Sequence, residues 1–224
     1  MKKGVLIAGA VALAAVVVAG VLYTEQFNLP WNKNKAKETA ANYITQKYDL
    51  KLEPTSVSGS SNAWVDGAPY LVYFKDEAGV DFTVKVDRKI SSCWDNYPTQ
   101  CFVSEMEGRY AELDSIWGEK ATVTVDYVNI DNEKYPDVSF ADGSVDYDDL
   151  ENNCRYSIVV RLVDSSDAAQ NFESIYETIE YLKANECNAT ELLIFTKDGD
   201  SVKHNKFTLS DEYPDVESVK TAVA

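Results

Sequence analysis

Histidine occurs once in the 224 residues, at His204, and arginine only at 88, 109, 155 and 161. A Ser-His-Asp or Cys-His catalytic system would have to use that single imidazole. It lies between Lys203 and Asn205 on an expected strand, with Lys206 close by, which reads as a wet face. Cysteine is scarce too: residues 93, 101, 154 and 187, with no C-x-x-C pair among them, so the spacing argues against a zinc site. No glycine-rich phosphate loop occurs. Positive charge is in short supply, 21 Lys and Arg against 37 Asp and Glu, for a formal net charge of −16. That balance argues against nucleic acid and anionic lipid headgroups as partners. It favours a basic protein or peptide, or divalent cations.

What the chain does have is an uncharged run from Gly4 to Tyr23, GVLIAGAVALAAVVVAGVLY, behind Lys2 and Lys3. At about 1.5 Å per residue such a helix spans roughly 30 Å, the thickness of a bilayer's hydrocarbon core. The expectation is a single-pass transmembrane anchor over 4–23, with residues 1–3 as a cytoplasmic tail by the positive-inside rule. Residues 24–32 are expected to form a juxtamembrane linker; Tyr23 at the end of the run, with Phe27 and Trp31 in the linker, suits an interface, and the remainder is expected to be extracytoplasmic. The alternative is a cleaved signal peptide with Val17-x-Ala19 as the exit, which would make the protein secreted.

In an oxidising compartment an even number of cysteines suggests disulfides. Three pairings exist, of which Cys93–Cys101 and Cys154–Cys187 are expected. The first closes the short loop CWDNYPTQC. For the second, a strand over 155–163 travels about 30 Å and a helix over 167–183 returns about 26 Å, which brings Cys154 and Cys187 to the same end.

Along the chain, Ala36, Ala40, Tyr43, Ile44 and Tyr48 recur at helical spacing, and Asn32 or Asn34 can cap that helix. A strand interrupted by Pro54 follows over 50–62. Tyr70, Val72 and Phe74, then Val80, Phe82, Val84 and Val86, alternate about the turn Asp76-Glu77-Ala78-Gly79, which predicts a half-buried hairpin. Phe102, Met106, Tyr110, Leu113 and Trp117 mark a second helix ended by Gly118. Ala121, Val123, Val125 and Tyr127 share one face of a strand over 121–130. Tyr156, Ile158, Val160 and Leu162 mark the next. Phe172, Ile175, Tyr176, Ile179 and Leu182 stripe a third helix capped by Asp167. Two strands, 192–196 and 202–209, close the pattern around Lys197-Asp198-Gly199-Asp200.

The predicted class is α+β: an N-terminal transmembrane helix, then an ectodomain of mainly antiparallel sheet packed by three helices. Two subdomains, 33–118 and 119–224, or one continuous domain, accommodate it. Tyr-Pro-Asp-Val occurs at 135–138 and again at 213–216.

The helix over 34–48 followed by YLVYFKDEAGVDFTVKVDRK resembles the small anchored extracytoplasmic modules of Gram-positive bacteria, of PepSY-type or cystatin-like fold, across about residues 34–118. The resemblance rests on element order. It implies a helix packed on a curled antiparallel sheet and a role in binding or restraining proteases, and it assigns no functional residue.

Chemistry concentrates in Asp131–Asn153, where eight acids face Lys134 alone. Asp142, Asp146, Asp148, Asp149 and Glu151 are the candidate ligands for calcium, which takes six to eight oxygens, although no EF-hand pattern is present. Trp94 and Tyr97 in the cystine loop, with Tyr135, Phe140 and Tyr147 in and beside the acidic stretch, are the candidate partner-binding aromatics. Asn188-Ala189-Thr190 is a glycosylation sequon. No catalytic residue and no cofactor is assigned. The expected function is a membrane-anchored, acidic, disulfide-bonded binding ectodomain. The alternatives are a cell-envelope hydrolase using paired carboxylates and a calcium-dependent binding module.

Overall fold

A computed structural model describes residues 30–59, 70–87, 89–130, 146–163, 171–198 and 201–223. They form an α+β chain with two four-stranded sheets and six α-helices. Two compact units result, Met1–Tyr97 and Pro98–Ala224.

In the first unit, helix α1 (Pro30–Tyr48) precedes strands β1 (Ser56–Gly59), β2 (Tyr70–Lys75), β3 (Asp81–Val86) and β4 (Cys93–Asp95), paired antiparallel in chain order. The β2–β3 hairpin is in register from Tyr70↔Val86 to Lys75↔Asp81. Its alternation sends Tyr70, Val72, Phe74, Phe82, Val84 and Val86 inward, where Ala36, Ala40 and Ile44 of α1 are also buried. The turn closes because Asp76 accepts the Val80 N–H at 2.8 Å and Gly79 adopts a left-handed φ of 92°.

The second unit begins at the second residue of α2 (Tyr97–Arg109) and contains α3 (Leu113–Trp117), β5 (Ala121–Asn129), α4 (Tyr147–Asn153), β6 (Arg155–Leu162), α5 (Phe172–Ala184), β7 (Glu191–Asp198), β8 (Ser201–Thr208) and α6 (Val216–Val223). The sheet order is β5-β6-β7-β8. The β5–β6 and β7–β8 pairs are antiparallel, while β6 and β7 run parallel because α5 carries the chain back between them. Phe102, Leu113, Trp117, Tyr156, Ile158, Ile175, Ile179, Leu192 and Phe207 build the core. Trp117 donates its indole N–H to Thr178 at 2.9 Å, which satisfies both polar groups inside it.

Several expectations are corrected. A transmembrane helix was expected at the head of the fold, whereas among the described residues no helix is long and apolar enough to cross a membrane. The longest helix, α1, has 19 residues but carries Lys33, Lys35, Lys37, Glu38 and Lys47. The run 4–23 lies outside the described residues, and residues 30–32 of the expected linker already belong to α1.

Among the described residues the α-helices number six, not three. The expected helix over 102–117 is broken at Tyr110–Glu112 into α2 and α3, α4 forms in the acidic segment, and α6 forms near the C-terminus. The expected disulfides are absent: no bridge joins Cys93 to Cys101 or Cys154 to Cys187. Cys93 lies on β4, whereas Cys101 lies on a helix that starts inside the expected loop, with Pro98 in its first turn. The end of α5 does return to the start of β6. There, however, the Cys187 sulfur faces the Tyr156 hydroxyl at 3.4 Å and the Ala189 N–H at 3.5 Å.

Candidate binding site

The carboxylates expected to converge on calcium diverge instead, because Asp146 nucleates a helix. It is the N-cap of α4 and accepts the N–H groups of Asp148 and Asp149, each at 3.1 Å. Asp148 pairs with Arg109, and Asp149 accepts from the Asn153 amide at 3.2 Å. Glu151, only 6% exposed, points inward. It accepts from the Tyr110 hydroxyl at 2.9 Å, from the Tyr156 hydroxyl and from the Asn188 N–H at 3.3 Å, while Arg109 approaches its other oxygen at 3.3 Å. Among the described residues no group of three or more His, Cys, Asp or Glu side chains is arranged to hold a metal ion. Asp142 lies outside them.

This inward cluster joins α2, α4, β6 and the turn after α5. Its chemistry is closed. Burial pushes the phenols of Tyr110 and Tyr156 and the thiol of Cys187 above their ordinary values. Burial, then the Glu151 charge, pushes Cys154 up to about 12. A thiol held neutral is not a nucleophile. No buried side-chain nitrogen or oxygen among the described residues lacks a partner.

The expected binding aromatics differ in exposure. Trp94 on β4 is 58% exposed. Tyr97 is buried, its ring 4.6 Å from Phe82 and 5.1 Å from Tyr48, its hydroxyl donating to Asp76 at 3.0 Å. Tyr147 is half-buried on α4, and Tyr135 and Phe140 lie outside the described residues. His204 is exposed and stacks on Phe195, centroids 5.4 Å apart. The sequon side chain of Asn188 donates to Asn152 at 2.9 Å.

Sequence reasoning missed a groove along β5. A cavity of about 240 Å³ lies between α2, through Thr99, Val103 and Glu107, and the far half of β5, through Val125, Asp126 and Tyr127. A second of about 120 Å³ continues it past Glu107, Asp114 and Val123. The strand carries a bulge between Asp126 and Asn129. Within it Tyr127 adopts a φ of 55°. The extra residue turns Tyr127 out of the apolar face expected for it, leaving the ring 63% exposed at the mouth of the groove. Arg161, also lining the groove, donates to Thr124 at 2.6 Å and pairs with Asp126. The sequence signal was Val128 directly after Tyr127, two apolar residues in succession where the alternation calls for a polar one, which a bulge explains.

No family model matches the chain, and no curated protein matches it. Among solved structures, the chain is similar to the crystal structure of a DUF5037 family protein from Ruminococcus gnavus ATCC 29149, at 12% identity and a TM-score of 0.44. The match covers 83% of this chain and 98% of that one. None of these comparisons points to a PepSY-type or cystatin-like protein.

Proposed function

We propose that the chain is a non-catalytic binding module that takes a basic partner in the groove between α2 and β5. One observation carries this reading: Tyr127, a non-glycine residue, is kept in the left-handed region with its ring directed at water beside a concavity. That conformation costs about 1–2 kcal/mol, and an aromatic held at a groove mouth is the kind of residue that anchors interfaces. Glu107 and Asp114 on the groove wall, together with the net charge of −16, favour a cationic partner.

The test is selection of phage-displayed random peptides against the full chain. Basic peptides are expected to dominate and to lose about tenfold or more in affinity on Tyr127→Ala, equivalent to about 1.4 kcal/mol, while Trp94→Ala leaves them unchanged. Selected peptides that bind Tyr127→Ala as tightly as wild type would overturn the assignment.

A further inference from the structure

The N–H of Val125 donates to the Glu107 carboxylate at 3.2 Å, so it points away from β6. Backbone groups in an antiparallel pair face the neighbour at alternate residues. The Val163 N–H bonds to the Lys120 carbonyl at 2.9 Å, which sets the same parity: residues 120, 122 and 124 face β6. Ala121 and Val123 therefore present both N–H and C=O outward. Among the described residues no strand pairs with this edge, since β5 ends its sheet. Its guards, the bulge and Asp126, sit at the far end: the stretch Ala121–Val125 before them contains no proline, no charged residue and no bulge, only alanine, valine and threonine. At Val125 the Glu107 carboxylate occupies the place where a neighbouring strand's carbonyl would accept.

We infer that the partner binds by strand addition: an extended segment alternating apolar and basic residues joins β5 as a fifth strand. It displaces Glu107 from the Val125 N–H and gives that carboxylate a lysine or arginine in exchange. Main-chain bonds to Ala121 and Val123 supply affinity, and the charge exchange supplies selection. A second copy of this chain is the poorer occupant. Its own β5 carries Asp126 and no basic residue, so two such edges would bring acids together. This inference rests on the groove reading above and adds the mode of binding and the chemistry of the bound segment.

The test is titration of the nitrogen-15-labelled full chain with two capped octapeptides, one alternating valine and lysine, the other valine and glutamate. The lysine peptide is expected to shift the Ala121 and Val123 amides and slow their hydrogen exchange. The glutamate peptide should bind at least about tenfold more weakly, a difference of about 1.4 kcal/mol. Val123→Pro removes only an outward N–H, so the strand keeps its bonds to β6, yet the variant should lose lysine-peptide binding. Glu107→Gln should shrink the preference between the peptides to under about threefold.

Unmoved β5 amides with either peptide would overturn the inference, as would equal binding of both by the wild type. So would amides of Ala121 and Val123 already protected in the free chain, which would mean that the chain itself or a second copy holds the edge. If Val123→Pro binds the lysine peptide normally while Tyr127→Ala does not, strand addition fails and the groove reading stands. If Tyr127→Ala has no effect on any ligand, the groove reading fails with it.

Discussion

Tyr48 on α1 donates its hydroxyl to Asp95 on β4 at 2.8 Å. The same carboxylate accepts from the Tyr43 hydroxyl at 2.6 Å, the Lys47 ammonium at 2.8 Å and the Tyr97 N–H at 3.0 Å. The Asp95 side chain has no exposure to solvent. Four donors thus converge on one buried charge and tie the helix to the last strand of its sheet. Burial alone would raise the Asp95 pKa, but the hydrogen bonds from Lys47, Tyr43 and Tyr48 hold it below the ordinary carboxylate range.

Asp95→Asn keeps the shape, removes the charge on which the four donors converge and replaces one acceptor oxygen by an amide donor. A loss of about 2–4 kcal/mol is expected, read as a lower urea midpoint. The pH dependence has a definite sign. Because the folded pKa lies below the unfolded one, the stabilisation is complete above the ordinary aspartate value of about 4 and is lost as pH falls through the folded value. Wild type should therefore lose stability more steeply than Asp95→Asn below about pH 4. Parallel acid profiles for the two proteins would remove Asp95 from this role.

Glu186 ends α5 in the left-handed region, with φ of 54°. Its N–H bonds to the Lys183 carbonyl at 3.1 Å, and the Cys187 N–H to the Leu182 carbonyl at 2.9 Å. This is a Schellman closure with glutamate where glycine is the usual residue. Glu186→Gly should stabilise by about 0.5–1 kcal/mol and raise Tm by about 1–4 °C. A lower Tm in a thermal melt would show that the glutamate side chain contributes more than its backbone costs.

The four thiols should all react with a thiol reagent in denaturant without prior reduction. In the folded chain Cys101 and Cys154, 6% and 8% exposed, should react most slowly. Since the folded pKa of Cys154 is raised to about 12, its contribution to stability is complete below the ordinary thiol value and is lost as pH rises toward 12. Between about pH 8.5 and 11, wild type should therefore lose more stability than Cys154→Ala. Equal alkaline slopes would show that Cys154 does not titrate differently in the two states.

Much of the local architecture is legible in the residue order. The two-residue period of Tyr70-Val72-Phe74 against Phe82-Val84-Val86 named both the hairpin and its buried face, since a slip by one residue would send every one of those side chains to water. The stripe Ile175, Ile179 and Leu182 named α5, and path lengths brought Cys187 back to the start of β6. The acidic segment was not legible in the same way. Asp146, Asp148, Asp149 and Glu151 look alike in the sequence, yet one caps a helix, one meets Arg109 and one is buried under two tyrosines. Their partners lie as far as 42 residues away, and no local pattern records them.

Residue order alone, through hydrophobic period and turn chemistry, dictated the hairpin, the helical stripes of α1 and α5 and the surplus of negative charge. Those depend on interactions between near neighbours along the chain. Folding in three dimensions decided which strand lies at a sheet edge, which way the Tyr127 ring faces and whether a given sulfur meets another sulfur or a phenol. Those outcomes depend on packing between segments far apart in the chain, where a shift of one residue or a few tenths of an ångström changes the partner without changing any local preference.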